Sequence, residues 1–124
     1  MLKKLLEELS MHDMVAKHIK IKAEGTTKTS LENLGKILSA GFSLERATLH
    51  FDKEKSECRL HTEWLMVTKD FHDVFFVHEF LGFNAGYGGE GPRGLAEFCK
   101  KVGATDWDID KISSLKSGTY SVFK

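Results

Sequence analysis

Two alternating runs separated by four polar residues constrain this chain more than any other feature. Ala47-Thr48-Leu49-His50-Phe51-Asp52 alternates, and so does Glu57 to Val67, with Cys58, Leu60, Thr62, Trp64 and Met66 on one face. That is the period of a strand with one buried side. Lys53-Glu54-Lys55-Ser56 between them is a polar turn. Pairing Asp52 with Glu57 sets Leu49 opposite Leu60 and Phe51 opposite Cys58, so both apolar sets share a face. A one-residue slip would turn one set to solvent, so burial and register agree. A third run, Phe71 to Phe80, is apolar on both faces, as expected of a central or doubly covered strand.

Helical patterns surround these strands. Leu2, Leu5, Leu6 and Leu9 predict a short amphipathic helix. Val15, Ile19, Ile21 and Ala23 then alternate with polar residues as in a strand, a first helix continuing to about Lys20 being the alternative. Leu31, Leu34, Ile37 and Leu38 predict a helix over 30–40, opened by a capping box of Thr29 and Glu32 and ended at Gly41. Leu95, Phe98, Cys99 and Val102 predict a helix over 92–102 with Gly103 as its stop. A helical stretch from Asp108 to Leu115 and a last strand from Thr119 to Phe123 follow. The expected fold is α+β: an antiparallel sheet of three to five strands with helices packed mainly on one face. No repeat or linker divides residues 1–124, so a single domain is expected.

Lys plus Arg and Asp plus Glu both total 18, for a net charge of zero. Neutrality argues against general nucleic-acid coating, which needs a basic footprint. It also weakens colloidal repulsion, so a homo-oligomer is expected. Cys58 and Cys99 have no metal-ligand spacing and read as a reduced pair. No window approaches the ~20 apolar residues of a membrane span, and Glu7, Glu8 and Asp13 interrupt the first apolar run too early for a signal peptide. A cytoplasmic protein without membrane association is expected.

Two constellations carry candidate chemistry. The first is Asn84-Ala85-Gly86-Tyr87-Gly88-Gly89-Glu90-Gly91-Pro92-Arg93-Gly94, which holds five of the chain's eleven glycines and its one proline. With Pro92 as the first helical residue, the loop feeds a helix N-terminus, where backbone N–H groups favour a phosphate or carboxylate. Gly88, Gly89, Gly91 and Gly94 would hold the anion and Arg93 would neutralise it. Tyr87 or Phe83 would stack on a base or sugar, with Asn84 adding an amide. The competing reading is a tight strand-to-helix bend, favoured by Glu90, whose carboxylate would itself occupy the helix start. The second constellation is the polar sheet face, where His50 and Arg59 oppose each other and His61 opposes Thr48. A tight turn at Lys69-Asp70 would bring His78 opposite His61. Such a face could contact the same ligand across a subunit interface, or act as acid and base; a solvated sheet face is the plain alternative. A one-residue shift of that hairpin would turn His78 away. No metal spacing and no cofactor motif is present.

The order helix 30–40, three antiparallel strands, helix 92–102 resembles the α-β-β-β-α plan of the double-stranded-RNA-binding domain. That family grips phosphates with glycines and a lysine pair at its last helix. The matching stretch here, Gly89 to Gly94, carries one arginine, and Lys100 and Lys101 stand at the helix's other end. Gly86-Tyr87-Gly88-Gly89-Glu90-Gly91-Pro92 is similar to a GYxGxGP loop in small bacterial and phage proteins, which implies a phage or mobile-element setting. The expected function is binding of a small anionic ligand, a nucleotide or nucleotide-derived signal, rather than catalysis. The alternatives are a protein that inhibits a protein partner, without a small-molecule site, and a small histidine-dependent hydrolase.

Overall fold

The computed structural model describes residues 14–15, 18–22, 26–67 and 73–123. The helix expected around Leu2 to Leu9 and the turn at Lys69-Asp70 lie outside them. Strands β1 (Met14–Val15) and β2 (His18–Lys22) are followed by helix α1 (Thr27–Ser39). Strands β3 (Ser43–Asp52), β4 (Glu57–Met66) and β5 (Val74–Phe80) come next. Helices α2 (Glu90–Val102) and α3 (Ile109–Ser113) precede the last strand, β6 (Gly118–Phe123). The fold is α+β. Strands β5, β4, β3 and β6 lie side by side as an antiparallel sheet. β2 adds to the other side of β5 in parallel, and β1 pairs with β2. Extended backbone at 18–22 settles the strand alternative for that segment. The parallel pairing has no counterpart in the local pattern, because it joins segments far apart in sequence.

The β3–β4 register is the expected one: Asp52 opposite Glu57, Phe51 opposite Cys58 and Leu49 opposite Leu60. Leu49, Phe51, Leu60, Trp64, Phe76 and Phe80 are buried beneath Leu34 and Ile37 of α1, Leu95 and Phe98 of α2, and Ile112 of α3. The core therefore lies on one side of the sheet, with the helices over it. Thr62 is polar and fully buried there, and it is satisfied from both sides. Its hydroxyl donates to the His78 carbonyl at 2.6 Å and accepts from Trp64 Nε1 at 2.7 Å. An unsatisfied hydroxyl at that depth would cost about 1–3 kcal/mol.

α1 begins one turn earlier than the periodicity indicated. Thr26, not Thr29, is its cap: the Thr26 side chain accepts from the Thr29 N–H at 3.1 Å. The apolar pattern of α1 starts only at Leu31, whereas tertiary contacts stabilise its first turn. Thr27 Oγ1 donates to the Gly82 carbonyl at 2.6 Å, and Ser30 Oγ accepts from the Gly82 N–H at 3.1 Å. A side chain at Gly82 would collide with the Thr26 carbonyl oxygen, so only glycine permits this approach.

Phe80 tests the core. Its ring is fully buried and meets Phe83 and Phe98 at centroid distances of 5.5 and 5.4 Å. Phe80→Ala is expected to lower unfolding free energy by roughly 3–5 kcal/mol, read from urea titration followed by circular dichroism.

Candidate functional site

The loop after β5 is built largely by packing. Phe83 is 2 % exposed and sits between Phe80 and Phe98, so the stacking role expected for it is corrected: both ring faces serve the core. Asn84 is half-buried and its Oδ1 accepts from the Ala85 N–H at 2.9 Å, an amide engaged in its own turn. Gly86 takes φ +78° and donates its N–H to the Ile112 carbonyl at 2.9 Å. Tyr87 is 48 % exposed, and its ring covers Gly89, where a Cβ would lie 2.6 Å from Cε2. At Gly91 a Cβ would lie 2.7 Å from Asn84 Cβ, and at Gly94 it would strike Thr27 Cγ2. Gly88 differs from all of these. It is exposed, has no positive φ, and a Cβ there would meet nothing within 4 Å.

α2 starts at Glu90, two residues ahead of the expected boundary, which places Pro92 in the third helical position rather than the first. Its absent N–H still costs nothing, because the first-turn donors have no partner within the helix. Gly89 caps the helix without a side-chain hydrogen bond, and the ladder opens with Arg93 N–H donating to the Gly89 carbonyl at 3.1 Å. Because Gly94 packs on Thr27, α1 and α2 begin side by side. Between them runs an open groove of about 670 Å3, lined by Thr27, Lys28 and Leu31 from α1 and by Glu90, Arg93, Gly94, Glu97 and Lys101 from α2. Lys101 pairs with Glu97 at 3.8 Å. Neither Lys28 nor Arg93 has an ion-pair partner among the described residues. Lys28 has no place among the expected site residues, because Gly25-Thr26-Thr27-Lys28-Thr29 lacks the glycine that a phosphate-binding P-loop has before its lysine and the helix was expected to start after it.

Arg59, His50 and His61 stand elsewhere, on the sheet face opposite the helices. His50 opposes Arg59 and Thr48 opposes His61, as expected. The β4–β5 register, however, pairs His61 with Glu79 and Thr62 with His78, one residue from the tight-turn expectation. His78 therefore faces the core, fully buried, with its ring edge-on to Phe80 at 4.2 Å. The expected histidine cluster dissolves, and Glu79 takes its place. Arg59 Nη1 lies 3.4 Å from Glu79 Oε1. His61 sits between two carboxylates, Glu63 at 3.3 Å and Glu79 at 3.6 Å. His50 Nδ1 is 3.4 Å from Thr119 Oγ1. A cleft of about 890 Å3 at this end of the sheet holds His50 and Arg59 together with Asp52, Glu54 and Glu57. Its lining is acid-rich and its arginine is already paired, so it offers an anion little.

Cys58 is half-buried and Cys99 buried, and desolvation pushes both thiols up to about 12. Neither is a thiolate nucleophile at neutral pH. Among the described residues no cluster of His, Cys, Asp or Glu could hold a metal ion. No helix there is long and apolar enough to cross a membrane.

The glycines separate by substitution. Gly91→Ala and Gly94→Ala are expected to cost roughly 1–3 kcal/mol by overpacking, read as a lower urea midpoint. Gly88→Ala is expected to stay within about 0.5 kcal/mol of the parent, the range of exposed sites. The thiols predict an alkaline signature. Their folded pKa values exceed the ordinary 9.0, so the stability they contribute is intact below pH 9.0 and falls as pH rises toward about 12. Replacing both cysteines with alanine should flatten that part of a pH-dependent denaturation series.

No protein family matches the chain, and no curated protein and no solved structure shows significant similarity to it.

Proposed function

We propose that this chain is a binding protein for a small anionic ligand, a nucleotide or nucleotide-derived signal, taken up where α1 and α2 begin. One observation carries the reading: two helix N-termini meet on a groove whose Lys28 and Arg93 are unpaired among the described residues. Each helix start carries roughly half a positive charge. α1 has no acidic residue in its first turn, and α2 has Glu90 alone. The local sum favours a phosphate, with Arg93 as its forked donor and Lys28 as a second cation. Tyr87, half-exposed over the start of α2, offers a ring for a base or sugar. Gly88, which no internal contact requires, leaves the loop tip open to close approach. The proposal includes a cytoplasmic setting, self-association of the neutral chain, and the mobile-element context implied by the GYxGxGP loop.

A second reading, an interaction protein that acts on a protein partner, draws on a separate observation. Leu65, Phe75 and Val77 are half-buried on the sheet face opposite the core, beside the Arg59, His61 and Glu79 strip. An apolar patch rimmed by charge is a common protein-binding surface.

A thermal-shift titration with ATP, cyclic nucleotides, NAD and inorganic phosphate tests the first reading. A saturable rise is expected, since a ligand at a hundred times its Kd stabilises the native state by about 2.7 kcal/mol. Arg93→Ala and Lys28→Ala should each weaken binding roughly tenfold, about 1.4 kcal/mol, with the far-ultraviolet spectrum unchanged. A flat response to every compound overturns the ligand reading and leaves the partner reading.

A further inference from the structure

We draw no further inference here: the strongest candidate, the half-buried apolar patch around Leu65 and Val77 on the sheet face opposite the helices, belongs to the partner reading already given, and nothing in the structure shows what covers it.

Discussion

The two hydrogen bonds that α1 makes to the backbone of Gly82 set the rest of the arrangement. Gly82 stands two residues past the end of β5, so its carbonyl and N–H tie the start of the first long helix to the exit of a central strand. That clamp brings Thr27 against Gly94, and Gly94 is in the first turns of α2. One residue without a side chain thus determines how closely the two helices approach, and the groove with Lys28 and Arg93 exists because of it. Removing the clamp would leave two polar backbone groups of Gly82 buried without their partners. The glycines at 82, 91 and 94 act as spacers, and this is why most of the loop's composition reflects packing.

How much of this was legible in the sequence depends on where the information sits. The β3–β4 register from Ala47 to the turn was read to the residue because a short polar turn fixes its length and both strands alternate, whereas the four residues of β3 before Ala47, with the bulge between Leu44 and Arg46, were not. The β4–β5 register was not, because β5 is apolar on both faces and its pattern cannot say which residues face inward. Thr62 supplied what the pattern lacked, since its hydroxyl takes the His78 carbonyl as acceptor. The start of α1 was misplaced because Thr26, Thr27, Thr29 and Ser30 all have capping side chains, and only the contact with Gly82 selects among them. Phe83 misled for a related reason: a phenylalanine beside glycines looks the same in sequence whether it awaits a ligand or fills a core.

The two faces of the sheet divide their charge differently. On the outer face, Arg59 and His61 both lie beside Glu79, and Glu63 lies on the other side of His61, so carboxylates stand against both side chains. Such exposed pairs contribute at most about 1 kcal/mol each, and they leave little field to draw an anion. On the helix side, Lys28 and Arg93 face the groove with no carboxylate paired to them among the described residues. The chain is neutral in total, and the groove where both helices begin is lined by two cations that no carboxylate pairs among the described residues.

The pairing of β6 with β3 also orders events in time. Strands β3, β4 and β5 are successive in the chain and can zip as local hairpins on the microsecond scale. Thr48 must instead wait for Ser121, with α2 and α3 intervening. Closing so long a loop is slow relative to hairpin formation, and it fixes no contacts until it is complete. The antiparallel sheet thus joins two hairpins of neighbouring strands to one pairing across about seventy residues, and that last pairing raises the contact order of the fold and slows its formation.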